Sequence, residues 1–205
     1  MYGVLKSATN TGLDSELQYI FSTPLSIVSN QPAYISDTLS LKRKTNSQKV
    51  QRWEISAEIV PTNNSSSFLV HSVAKGFTEV FYLRMPQVYS PTKISQTLSL
   101  TLTNSALSGS TTINISGSSG VDLTGQFINF TGNSKVYLIT SNGNGLGNGL
   151  AISPPLLTNI SATTAIISGD KVTMQARYNE DTQLGITYID GVLASQGNVS
   201  FIEAL

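Results

Sequence analysis

A chain of 205 residues with 12 basic and 12 acidic side chains carries no net charge, which excludes the electrostatic footprint that nucleic acid or an acidic membrane requires. The absence of cysteine rules out a disulfide framework, a thiolate metal site and a cysteine nucleophile. No apolar run approaches the roughly 20 residues that span a bilayer, and the length fits one large or two small domains whose neutral surface favours self-association.

The start, Met1 to Lys6, lacks the basic-then-apolar plan of a signal peptide. Residues 1–17 are polar and mixed. They read as an arm that is weakly ordered alone or is ordered by a neighbouring subunit. From Leu17 to Val28 the pattern turns apolar around Tyr19, Ile20, Phe21, Leu25 and Ile27. Thr23-Pro24 interrupts it, which predicts an edge strand or a bulged one. Asn30-Gln31-Pro32 is a turn signal. Tyr34 to Lys42 predicts the next strand, with Leu39 and Leu41 on its inner face. Lys42, Arg43 and Lys44 then meet the polar stretch Thr45 to Lys49. The spacing predicts a hairpin over 34–60 with its basic residues at the tip. No aromatic residues interleave with that cluster, as stacking on nucleic acid would require. A solvated tip or an inter-subunit contact is the better reading.

Residues 50–61 organise the rest. Trp53, Ile55, Ala57 and Ile59 alternate with Arg52, Glu54, Ser56 and Glu58. A period of two places the first set on a buried strand face, with Trp53 as its anchor, and the second on an outward face. Pro61 lacks an N–H and should end the strand. The segment 62–65 offers several N-caps, and Leu69 and Val73 share one face of a short helix over about 65–75, with Gly76 as its C-cap. His71, the one histidine, lies on that helix without a carboxylate cluster and reads as a packing residue. Residues 79–84 predict a strand that ends at Met85-Pro86.

Composition shifts near residue 90. Residues 91–178 are rich in Ser, Thr, Gly and Asn. Their apolar residues come in short alternating runs, such as Leu98-Leu100-Leu102, Ile113-Ile115, 127–130, 136–139 and Val172-Met174-Ala176. Short strands with turn signals at this spacing predict a small barrel or sandwich. The glycine-rich run 142–149 has neither a following Lys-Ser/Thr nor G-x-G-x-x-G spacing, so it reads as a hairpin loop and not a phosphate cradle. From Thr187 the first pattern returns, with an Asp190-Gly191 turn and a last strand carrying Val199 and Phe201 on one face. The economical expectation is that 179–205 completes the first domain, 1–90, and that 91–178 is an insertion.

The run Arg52-Trp53-Glu54-Ile55 to Pro61, the helix ending at Gly76 and the Phe81-Tyr82 strand resemble tail proteins of long-tailed bacteriophages. So do Ile128-Asn129-Phe130 through Thr140, Ile152-Ser153-Pro154-Pro155-Leu156, Gly169-Asp170 and the ending 199–205, in that order. The chain is similar to the distal tail, or baseplate hub, class. The resemblance implies a mainly β fold in which the discontinuous first domain builds a ring and an inserted OB-like barrel projects outward. It also implies a homo-oligomeric ring of six or three copies. That ring would join the tail tube to hub or tip proteins in a virion assembled from subunits made in the host cytoplasm. Lys42, Arg43, Lys44, Lys49, Arg52, Glu54 and Glu58 are the candidate subunit contacts.

Catalysis finds no base beyond His71 and no protected carboxylate pair, since the acidic residues fall mostly on outward strand positions or in turns. The expectation is a structural protein, not an enzyme, with no cofactor, metal, nucleic acid or membrane partner. The alternative is a carbohydrate- or receptor-binding β-module, favoured if Phe127, Phe130, Tyr137 or Tyr178 were displayed on the surface.

Overall fold

The computed structural model describes residues 5–7, 19–21, 25–37, 43–47, 50–61, 80–85, 98–118, 121–143, 149–179, 187–190, 192–195 and 198–205. The expected 65–75 helix with His71, and Leu39, Leu41, Lys42, Lys49 and 144–148, lie outside these residues. The described residues are mainly β, with one short 3-10 turn at Gly169–Lys171. In chain order the strands are β1 (Leu5–Ser7), β2 (Tyr19–Phe21), β3 (Ser26–Asn30), β4 (Ala33–Asp37), β5 (Arg43–Ser47), β6 (Arg52–Pro61), β7 (Phe81–Arg84), β8 (Leu100–Leu102) and β9 (Thr112–Ile113). They continue with β10 (Ile115–Ser116), β11 (Phe127–Phe130), β12 (Tyr137–Ser141), β13 (Leu150–Ser153), β14 (Ala165–Ile167), β15 (Thr173–Tyr178), β16 (Thr187–Ile189), β17 (Val192–Ser195) and β18 (Asn198–Glu203).

The first sheet runs β1-β7-β15-β18-β6-β2, with β3 also paired to β6. Strand β6 is long enough to carry two partners on one edge. β3 runs along its first half and β2 along its last three residues, so both lie on one edge of β6. The other edge takes β18, with Val199 opposite Ala57 and Phe201 opposite Ile55. Directly opposed residues point to the same face, so these four side chains join Trp53 in one core.

The chain end returns to the first sheet, as expected, where β18 pairs with β6 on one side and with β15 on the other. Here the structure departs from the sequence reading. Met174 and Ala176, grouped there with the preceding short strands, belong to β15 of the first sheet, which bridges β7 and β18, and Val172 just before it packs in the same core. Met174 and Ala176 are buried against the Leu83 and Phe201 side of the core. Alternation alone marks them as a strand and does not choose their partner. The arm 1–17 is described only at β1, which pairs with β7 at the sheet edge.

The second sheet runs β10-β8-β14-β11-β12-β13-β9. Among the described residues no ladder closes it. Its two end strands are neighbours in sequence, separated by Asn114 alone. Asn114 works towards both ends, since its carbonyl accepts from Thr103 N at 2.9 Å and its Oδ1 from Gly149 N at 2.7 Å. Leu102, Ile115, Phe130, Tyr137, Ile152 and Ile166 are among the residues that fill this sheet's own core. All four residues of β11 are buried, because the strand lies between the two cores. Ile128 and Phe130 face the second core, while Phe127 packs into the first with Val136.

The remaining pairs are short. β16 pairs with β17, and Asp190, just after β16, takes φ +50°. β4 pairs with β5, not with β6 as the expected 34–60 hairpin implies. The hairpin is instead β3 followed by β4 on one arm and β5 followed by β6 on the other. Thr45 to Ser47, read as loop, continue the second arm as strand.

Gly117 follows β10 with φ +89°, and a Cβ there would lie 2.2 Å from the Ser99 carbonyl oxygen. Both the left-handed backbone and the close approach require glycine. Gly117→Ala is expected to lower stability by more than about 2 kcal/mol, read as a drop in urea midpoint at unchanged m. A change within about 0.5 kcal/mol would mean that the β8–β10 edge shifts freely.

Candidate functional site

The two sheets are joined by a buried polar node. Gln51 lies just before β6, Trp53 within it, Glu203 at the end of β18, and Lys135 and Val136 just before β12. The turn after β11 delivers the lysine. Gly132 takes φ +82°, and Asn133 Oδ1 accepts from Lys135 N at 2.9 Å. Lys135 and Glu203 are each 1% exposed and Gln51 is 4% exposed.

Lys135 Nζ donates to Gln51 O at 2.8 Å, to Gln51 Oε1 at 2.7 Å and to Glu203 Oε2, so its three donors are all used. The Glu203 carboxylate also accepts from Trp53 N at 3.2 Å and from Val136 N at 2.9 Å. The Trp53 indole N–H donates to Val136 O at 2.8 Å, and its ring meets Phe127 edge-on at 5.3 Å between centroids. Burial pulls the Lys135 amine below its ordinary range. The Glu203 charge and hydrogen bond oppose that fall, and the nearby Arg52 charge adds to it. Burial also raises the Tyr137 phenol. Leu157 N, which donates to the phenol oxygen at 3.1 Å, works against the rise, and the Glu203 charge adds to it.

Glu203 is a correction to the reading of acidic residues as outward or in turns. The alternation Val199-Phe201-Glu203 already places it on the inner face, and β18 is buried at those three positions. Nothing local marks Lys135, since its partners are 84 and 68 residues away in sequence.

The candidate contact residues fall in two places. Arg52, Glu54 and Glu58 share the outward face of β6. There Glu54 Oε1 accepts from Asn179 Nδ2 and Ser200 Oγ, and Arg52 and Glu58 are exposed. Arg43 and Lys44 lie on β5, at the far end of the β4–β5 arm, and Arg43 Nε meets Asp37 Oδ1 at 3.3 Å. Every residue of β4 is exposed, as are Arg43 to Asn46 of β5. Tyr34 is 68% and Ile35 57% exposed. Consecutive strand residues point to opposite faces, so the arm is open on both.

Phe127, Phe130, Tyr137 and Tyr178 are all buried. A cleft of about 390 Å³ opens between the first sheet and the 132–134 turn, lined by Tyr82, Asn129, Asn133, Ser134, Thr173 and Gln175. Asn129 Nδ2 donates to Thr173 O at 3.2 Å, and its Oδ1 has no partner among the described residues. Among the described residues no three or more His, Asp or Glu side chains gather in a way that would hold a metal ion, and no helix is long and apolar enough to cross a membrane. No protein-family model matches the chain, and no curated protein matches it in sequence.

Proposed function

We propose that the chain is a non-enzymatic structural subunit of a bacteriophage tail tip or baseplate, of the distal tail class, built into the virion as a ring. The observation that carries this reading is the β4–β5 arm. An isolated two-stranded ribbon is marginal in water, yet this one stands open on both faces and carries Tyr34 and Ile35 into solvent. Val28 and Val50, 51% and 42% exposed, extend apolar surface towards the first sheet. A second copy laid against the arm covers these side chains. Arg43, Lys44 and Arg52, with the acidic groups of β6, set the register of that contact.

Such a contact is heterologous, and repeated around an axis it closes a ring. Six copies match the symmetry of a tail tube, and three is the smaller solution. The first sheet faces the tube and the hub proteins. The second sheet, whose end strands are neighbours in sequence, is read as an OB-like barrel peripheral to the ring. A carbohydrate-binding module is the second reading. The polar cleft beside Tyr82 favours it, but burial of the four aromatics named above removes the stacking platform.

Native mass measurement tests the reading. The intact chain is expected to run as a hexamer or trimer. Tyr34→Asp with Ile35→Asp is expected to yield monomers with the same circular dichroism. A monomeric parent protein, or a double variant that still forms the ring, refutes the arm as the assembly contact.

A further inference from the structure

Lys135 Nζ, the Gln51 carboxamide and the Glu203 carboxylate meet where water is excluded. An ion pair alone needs no carboxamide, yet Gln51 Oε1 lies 2.7 Å from the amine, and Gln51 Nε2 donates to Ser29 Oγ at 3.1 Å. Gln51 Cδ is one bond, about 1.2 Å, from that oxygen, and rotation about Cγ–Cδ, which releases Nε2 from Ser29 Oγ, presents the face of the carboxamide to the amine. Glu203 Oε2 touches the same nitrogen and is, among the described residues, the acidic group placed to carry its protons. An amine, an amide carbonyl and a proton carrier in a dry site are the parts of an amide exchange.

We propose that Lys135 and Gln51 become joined by an intramolecular isopeptide bond, with Glu203 carrying the protons. Glu203 takes a proton from the Lys135 ammonium and leaves a neutral amine. The Nζ lone pair attacks Gln51 Cδ, forming the new C–N bond and moving the carbonyl electron pair onto Oε1. Glu203 passes the first proton to Nε2 and then takes the second from the former amine nitrogen. The carbonyl re-forms, the Cδ–Nε2 bond breaks, and the departing ammonia takes that second proton from Glu203 and leaves as ammonium. In net terms an ammonium and a primary amide become a secondary amide and ammonium, with the Glu203 carboxylate regenerated and no oxidant or cofactor consumed. Burial, which lowers the affinity of Lys135 for its proton, favours the neutral nucleophile.

The two ends of the bond belong to different sheets: Gln51 leads into β6 and Lys135 into β12. The cross-link therefore fastens the second sheet to the first and holds against pulling, whatever assembly the chain joins.

Mass spectrometry of the purified full chain under denaturing conditions tests this directly. The intact mass is expected to fall short of the sequence mass by one ammonia, about 17 Da. Trypsin does not cleave after an acylated lysine, so the segment Val50-Gln51-Arg52 should be found attached to a peptide that runs through Lys135. Glu203→Gln is expected to restore the full mass and linear peptides, while a blue-shifted Trp53 emission reports that its fold is kept. An unmodified chain at full mass with linear peptides overturns the proposal. A loss of water, about 18 Da, with Lys135 joined to Glu203 overturns the assignment of Gln51. A cross-link that survives in a folded Glu203→Gln chain overturns the role of Glu203.

Discussion

Lys135→Met is expected to destabilise the protein by about 3–5 kcal/mol, the range for removing one member of a buried ion pair. The methionine fills most of the lysine's volume, so the loss is electrostatic and not a cavity effect. Glu203 keeps its two backbone donors, Trp53 N and Val136 N, but its charge stays buried without a cation. Gln51 loses a donor at both its carbonyl and its side-chain oxygen. Adding Glu203→Leu removes the stranded charge but orphans those two N–H groups, at about 1–3 kcal/mol each. The double variant should therefore lie below the parent and above the sum of the two single losses. Urea unfolding followed by Trp53 fluorescence measures all three. A loss under about 1 kcal/mol for Lys135→Met would show that water reaches the pair. These figures count the non-covalent node, and loss of a cross-link adds to them.

Trp53→Ala is expected to cost about 3–5 kcal/mol. Trp53 is 6% exposed, packs edge-on against Phe127 and donates its indole N–H to Val136 O, so it ties β6 to the second sheet by area and by direction. Truncation empties the ring's volume at the junction of the sheets and leaves Val136 O without that donor. Trp53→Phe keeps most of the packing and should cost less, with about 1 kcal/mol assignable to the hydrogen bond. Circular dichroism follows both variants, because they lack the one tryptophan. A native parent emission maximum like that of a fully hydrated indole would refute the burial, and a loss below about 1 kcal/mol for the alanine variant would refute the packing.

Local chemistry made much of the chain legible in advance. The alternation through β6 separates Trp53, Ile55 and Ala57 from Arg52, Glu54 and Glu58, because side-chain direction in a strand follows from backbone geometry alone. The positive φ of Asp190 and the apolar face of β18 follow from the same kind of local rule. Which strands become neighbours is not local. β15 carries the same short alternation as β8 or β14, yet it lies in the first sheet, since the fit of Met174 and Ala176 beside Leu83 and Phe201 depends on chain segments far away in sequence. The buried node follows the same logic. Alternation turns Glu203 inward, but nothing local marks the lysine before β12 as its partner, and the burial of both is tolerable only once each supplies the other's charge. The sequence by itself determined which faces turn inward, whereas tertiary structure decided what those faces meet, because partner choice is settled by long-range packing and by the need to satisfy every buried polar group.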